Sequence, residues 1–185
     1  MGIIHDSLDK AAERTATRPI PKTAPAQIRY LVKQYKGSTK AVAHLLGISQ
    51  RTVERYVKDQ IKHPRKALSA RMEREVRARW QPRVRERAKQ RAATTGGIVI
   101  ETRARFGFTA APGTTDDGRI RLITQALPPA YAARLFGAQD AGAGEQELQA
   151  IAAEGLQEVY FRDRGRRADG LLVDFTDIEF VEFAL

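Results

Sequence analysis

Ile28, Leu31, Val32 and Tyr35 recur at i, i+3, i+4 and i+7, and Val42, Leu45 and Leu46 repeat the first three of those steps. That spacing lines up apolar side chains on one face of an α-helix. Val53, Tyr56, Val57 and Ile61 form a third stripe, leaving Gln50, Arg51, Glu54, Arg55 and Lys58 on the opposite face. Between the second and third stripes, Gly47 stands where a helix ends in the left-handed conformation that glycine adopts cheaply. Ser49 follows as an N-cap whose hydroxyl can accept an orphan backbone N–H. The pattern from Gly37 to Ile61 therefore predicts a helix-turn-helix, with a preceding helix closing a three-helix core from about Ala24. A plain helical hairpin with a solvated charged face is the blander reading. The agreement of glycine, cap and apolar spacing favours a DNA reader, with Ser49, Gln50, Arg51, Arg55 and Lys58 as its contacting residues.

Flanking segments are less regular. Residues 1–23 read as a weak helix followed by a loop through TRPIPKTAP, whose prolines interrupt regular structure. After the break at His63-Pro64, residues 65–92 read as a strongly basic helix on which Leu68, Met72, Val76 and Trp80 step by four. Pro82 is expected to kink or end it. Arg77, Arg79, Arg83 and Arg85 either follow phosphates or decorate a solvated helix that rests on the helix-turn-helix; the excess of basic residues favours phosphate contact.

From Ile98 the period changes to two. Ile98, Ile100, Thr102, Ala104, Phe106 and Phe108 alternate with Glu101, Arg103, Arg105 and Thr109, the signature of a half-buried strand. Ile120, Leu122, Thr124 and Ala126 alternate with Arg119, Arg121 and Gln125, predicting a second strand whose even positions face the core. AAPGTTDDG (110–118) lies between them as a hairpin loop, and Arg103, Arg105, Arg119 and Arg121 are expected together on the hairpin's polar face. Pro128-Pro129 opens a helix with Tyr131, Leu135 and Phe136, and AGAG (141–144) separates it from another running to about Tyr160. In LLVDFTDIEFVEF two alternating phases disagree around Thr176-Asp177, so a bulge or bend is expected there. The fold class is α+β: an all-helical N-terminal module, then a small antiparallel sheet covered by helices.

Charge separates the same two halves. Residues 1–93 hold 23 Lys and Arg against 8 Asp and Glu, a net of +15. Residues 94–185 hold 9 against 14, a net of −5, and together these make the +10 of the 185-residue chain. A cationic module suits a polyanion, and the second module another task. No apolar run approaches the ~20 residues that span a bilayer, and MGIIHDSLDK lacks a signal-peptide pattern. Without cysteine, thiolate metal sites and disulfides are excluded, and the three histidines (His5, His44, His63) have no ligand spacing.

No Ser-His-Asp set, Walker loop, dinucleotide fingerprint or zinc motif is present. Adjacent Asp116 and Asp117 are weak ground for a Mg²⁺ site, so an autonomous nuclease or polymerase is disfavoured. Gly113-Thr114-Thr115 presents two hydroxyls between a glycine and two acids. Taken alone, this is a turn whose threonines and aspartates bond the local backbone.

TRPIPKTA (17–24), LVKQYKGSTKAVAHLLGISQRTVERYVKDQIKHPRK (31–66), AATTGGIVI (92–100), GTTDD (113–117) and ALPPAYAARLF (126–136) carry a more specific signal. In these ordered blocks the chain resembles, over nearly its whole length, the Tpg-type telomere terminal proteins of streptomycete linear chromosomes and plasmids. The resemblance implies a protein that becomes covalently joined to the 5′ end of telomeric DNA. A threonine hydroxyl in GTTDD stands in for a primer 3′-OH; it maps to Thr114, with Thr115 as the alternative. A DNA polymerase, with its own Mg²⁺, adds the first nucleotide, and the 3′ overhang is then filled with help from a separate telomere-associated protein. The protein is then a primer more than an enzyme, with no cofactor or metal of its own and no membrane partner, located in the cytoplasm and on the nucleoid at DNA ends. The expected division is an N-terminal segment (1–23), a DNA-binding module with its basic helix (24–92) and a priming and interaction domain (93–185). A transcriptional regulator with a C-terminal dimerisation or sensing domain is the main alternative, and a nucleoid-packing protein a third.

Overall fold

The computed structural model describes residues 2–109, 119–161 and 172–185. In chain order it comprises α1 (Ile3–Arg14), α2 (Ala24–Gln34), α3 (Thr39–Leu46), α4 (Gln50–Val57), α5 (Lys66–Arg79), α6 (Pro82–Arg91), β1 (Ile98–Thr109), β2 (Arg119–Leu127), α7 (Pro129–Asp140), α8 (Glu145–Leu156) and β3 (Leu172–Ala184). Single π-helical turns, Ala92–Gly96 and Gln157–Phe161, follow α6 and α8. The class is α+β, as the change of hydrophobic period implied. The chain divides into two compact units, and they cut it elsewhere than expected. Ala16–Pro82 forms one, while Met1–Thr15 and Arg83–Leu185 together form the other.

In the first unit Ile28 and Leu31 of α2, Val42 and Leu46 of α3, Val53 and Tyr56 of α4, and Met72 and Val76 of α5 are buried in one core. The expected cap at Ser49 is in place, Thr52 N–H donating to Ser49 Oγ (3.2 Å), and Ser38 caps α3 in the same way, its Oγ accepting from Ala41 N–H (3.1 Å). Gly47 is left-handed (φ 60°, ψ 40°). Around it Ile48 N–H reaches Ala43 O (3.0 Å) and Gly47 N–H reaches His44 O (3.2 Å), the paired closure that satisfies the last carbonyls of a helix. The basic segment 65–92, expected to kink or end at Pro82, forms two helices, α5 and α6. It breaks at Trp80–Gln81, where Gln81 has φ 47°. Pro82 starts α6, a position whose N–H has no helical partner anyway. The break is held by the segment read as a loop: the Trp80 indole donates to Arg18 O (3.1 Å) and Thr17 N–H donates to Gln81 Oε1 (2.9 Å).

The second unit is built on a sheet of order β2-β1-β3, with both pairings antiparallel. Ile98, Ile100, Thr102, Ala104 and Phe106 face a core covered by α1, α7 and α8. Helix α1, expected to belong to a separate N-terminal segment, inserts Ile4, Leu8 and Ala11 into that core. Ser7 Oγ accepts from Phe183 N–H (3.0 Å), and the Glu145 carboxylate accepts from Ile4 N–H (2.6 Å) and His5 N–H (3.3 Å), capping α1 from across the unit.

Strand β2 takes the phase opposite to the expected one. Ile98 pairs with Leu127, Ile100 with Gln125, Thr102 with Ile123 and Ala104 with Arg121, so odd positions of β2 face the core. Ile123 and Leu127 are buried, while Ile120 and Leu122 are exposed. Both phases of β2 carry branched residues, so its pattern alone does not choose between them; the hairpin register does. The bulge expected near Thr176-Asp177 is present as two register shifts. Arg103 pairs with Phe180 but Ala104 with Ile178, and Arg105 with Asp177 but Phe106 with Phe175.

Candidate DNA interface and the priming segment

The fold places the net positive charge in one unit. Ala16–Pro82 holds 16 Lys and Arg against 4 Asp and Glu, a net of +12, leaving 16 against 18, or −2, in the other unit. Within the cationic unit, α4 buries Val53 and Tyr56 and exposes Arg51, Arg55 and Lys58. These three stand at i, i+4 and i+7, one stripe along the helix. Burial raises the Tyr56 hydroxyl above the usual tyrosine range and keeps it neutral beneath that stripe.

Other residues hold the stripe in place. Arg29 of α2 pairs with Asp59 (2.6 Å) and donates to Val57 O (3.3 Å), closing the C-terminus of α4. Gln50 donates to Thr39 Oγ1 (3.1 Å) and Glu54 Oε1 (2.9 Å), so its amide bridges the starts of α3 and α4. Arg71 of α5 donates to Leu46 O (2.7 Å), clamping the turn at Gly47. Sequence periodicity passes over Arg29 and Arg71, whose partners are 28 and 25 residues away.

The four arginines expected to follow phosphates are divided between the two units. Arg77 is exposed but paired with Glu73 one turn earlier (2.8 Å). Arg79 is committed to packing: it pairs with Glu75 (2.6 Å), donates to Tyr35 Oη (3.0 Å) and lies over the Tyr35 ring, 5.6 Å from its centroid. Its backbone carbonyl also accepts from the Tyr30 hydroxyl. Arg83 and Arg85 lie on α6, in the other compact unit, with Arg83 exposed and Arg85 half-buried.

Thr114, Thr115, Asp116 and Asp117 lie outside the described residues. Residues 110–118 connect β1 to β2, which pair from Ile98↔Leu127 up to Phe106↔Arg119. The segment is therefore tethered at both ends to neighbouring strands. Arg103 and Arg105 lie on the open face of that hairpin, where Arg103 meets Glu179 (3.1 Å). Arg121 does not join them. The reversed phase of β2 turns it to the covered face, where it is half-buried with its guanidinium 5.7 Å from the Phe161 ring centroid.

Among the described residues no group of three or more His, Asp or Glu is placed to hold a metal ion, and no helix is long and apolar enough to cross a membrane. Comparison with protein-family models, curated proteins and solved structures gave no match.

Proposed function

We propose that the protein is a DNA-binding terminal protein whose threonine hydroxyl primes synthesis at the end of a linear DNA molecule. The observation that carries the DNA-binding part is the α3–α4 geometry: a glycine-closed turn, two serine caps, and Arg51, Arg55 and Lys58 exposed in one stripe of a unit of net charge +12. Such a helix presents side chains to base edges in the major groove. The priming part is supported by the resemblance centred on GTTDD and by the tethering of residues 110–118 between two paired strands.

The chemistry is a nucleotidyl transfer. Thr114 Oγ1 attacks the α-phosphate of a deoxynucleoside triphosphate and forms a phosphoester. The α–β phosphoanhydride bond breaks, pyrophosphate leaves, and the hydroxyl proton passes to a base in the polymerase site. The polymerase supplies the metal ions that stabilise this charge; the protein supplies a positioned alcohol. Telomeric DNA with its 3′ overhang, a DNA polymerase and a telomere-associated protein are the partners.

The test is covalency. Purified protein, labelled deoxynucleotides, an overhang template and host extract should yield label on the protein that survives hot detergent and is released by strong alkali. Thr114→Ala should abolish it, Thr114→Ser retain part, and Thr115→Ala have a milder effect. Nucleotide mapped by mass spectrometry to Thr115 or Tyr131 overturns the assignment of Thr114. The same α4 geometry would serve a transcriptional regulator, and DNA that always leaves the protein in hot detergent favours that reading.

A further inference from the structure

We propose that the outer edge of β2 binds a second copy of this chain, the two β2 strands pairing antiparallel about Ile123 to join the two sheets into one. Both end strands of a sheet offer unpaired backbone groups, and proteins commonly guard them with bulges, charges or proline. Here the two edges are treated differently. Edge β3 carries two register shifts and the acidic residues Asp174, Asp177, Glu179 and Glu182. Edge β2, RIRLITQAL, is nine residues long, pairs with β1 without a register shift, and has no proline, lysine or acidic residue. No strand pairs with its outer edge among the described residues. It also exposes two large apolar side chains, Leu122 at 66 % and Ile120 at 47 %.

The order of residues along β2 selects the occupant. Both arginine positions, 119 and 121, lie in the first half of the strand. Antiparallel pairing about Ile123 sets Arg121 opposite Gln125 of the other copy, Leu122 opposite Thr124 and Ile120 opposite Ala126. No like charges face one another, and the exposed apolar residues of both copies merge into one strip. A parallel arrangement in register would stack arginine on arginine. The β3 edge paired with itself would bring carboxylates together. Directly opposed cross-strand pairs are the contacts most sensitive to charge, so β2 is complementary to itself and β3 is not.

The experiment uses the full chain without DNA. Sedimentation equilibrium should give a species of twice 20.6 kDa. The double variant Leu122→Glu/Thr124→Glu places glutamates opposite one another twice across the junction. It should weaken self-association at least tenfold while keeping the wild-type circular dichroism spectrum, because both positions are exposed, and its melting temperature should lose the dependence on protein concentration that the dimer confers. The chain has no cysteine, so Leu122→Cys mixed with Thr124→Cys should form an intermolecular disulfide far faster than either variant alone. A wild-type protein that stays monomeric overturns the proposal, including one that associates only with a polymerase or telomere-associated protein. A dimer unaffected by the glutamates places the junction elsewhere, and equal cross-linking by each cysteine variant alone refutes the register. None of these readouts involves nucleotide transfer, so this dimer can fail while the priming reading stands, and the reverse.

Discussion

Replacing Gly47 with alanine tests whether the turn of the helix-turn-helix is held by more than glycine's conformational freedom. With φ 60° and ψ 40°, alanine there should cost about 1–2 kcal/mol in backbone strain. A second contribution is specific to this site. A Cβ on Gly47 would lie 2.7 Å from Arg71 Nη1, the nitrogen that donates to Leu46 O at 2.7 Å. The guanidinium must swing away, and loss of a partly exposed charge-assisted bond costs about 1 kcal/mol more. The total, about 2–3 kcal/mol, should lower the urea midpoint of this small unit by roughly 2 M. Trp80 is the chain's one tryptophan, half-buried against the core of the same unit with its ring 4.8 Å from that of Tyr30, so its fluorescence reads that unit directly. Gly37 supplies the control: its φ is 86° and a Cβ there would meet nothing within 4 Å, so Gly37→Ala should show the strain alone. In an Arg71→Gln background the cost of Gly47→Ala should fall by about 1 kcal/mol. Equal losses at the two glycines, or strict additivity with Arg71→Gln, would refute the clamp.

Three further outcomes are expected. Arg51→Ala or Arg55→Ala should each weaken DNA binding by about 1–3 kcal/mol where a bidentate base contact is lost, leaving the Trp80 unfolding curve unchanged; unaltered affinity in both would mean that α4 is not the reader. Replacing Arg77, Arg83 and Arg85 by Gln should flatten the salt dependence of binding by roughly 0.7–0.9 in log–log slope per lost phosphate contact, whereas Arg79→Gln should chiefly destabilise the helical unit because it unties Tyr35 and Glu75. Burial, then the Glu158 carboxylate that accepts its hydroxyl, raises Tyr131 well above the ordinary tyrosine value of 10.0. The unfolded chain therefore loses this proton first, so stability is intact below about pH 10 and declines as pH rises further; Tyr131→Phe should flatten that decline in an alkaline denaturation series.

How much was legible in the sequence followed the distance over which each decision is made. Gly47, Ser49 and the stripes on α2, α3 and α4 are local signals, and the helix-turn-helix could be read from them directly. The bulges of β3 were readable because two alternating phases collide within one strand. The phase of β2 was not, because Ile120 and Leu122 compete with Ile123 and Leu127, and the choice belongs to a hairpin register counted across residues 110–118. Arg79 looked like one more surface cation, since nothing near it announces Tyr35, 44 residues earlier. The break at Trp80–Gln81 was half visible in Pro82; what locks it, the contacts to Thr17 and Arg18, comes from more than 60 residues away.

Helix α1 is likewise held from far along the chain: its partner Glu145 is 141 residues from Ile4. Because Thr15 and Arg83 belong to one compact unit, the cationic helical unit is an insertion within it rather than a leading domain. A chain beginning at Ala16 should therefore keep the DNA-binding unit and lose the sheet unit. Ile4 and Leu8 are both fully buried, and each contributes about 1.5–3 kcal/mol. Removing α1 also strands Phe183 N–H, which bonds Ser7 Oγ within the core, at about 1–3 kcal/mol. The sum, about 4–9 kcal/mol, rivals the whole stability of a small domain, about 5–15 kcal/mol. Circular dichroism of residues 16–185 should lose its strand component while Trp80 fluorescence stays native, and the 16–82 fragment should fold alone. Adding a synthetic peptide of residues 2–15 should restore the sheet signal. If residues 16–185 fold with both signals intact and the peptide changes nothing, α1 is an ornament on the sheet unit, and the expected boundary near residue 93 describes the chain better than the insertion does.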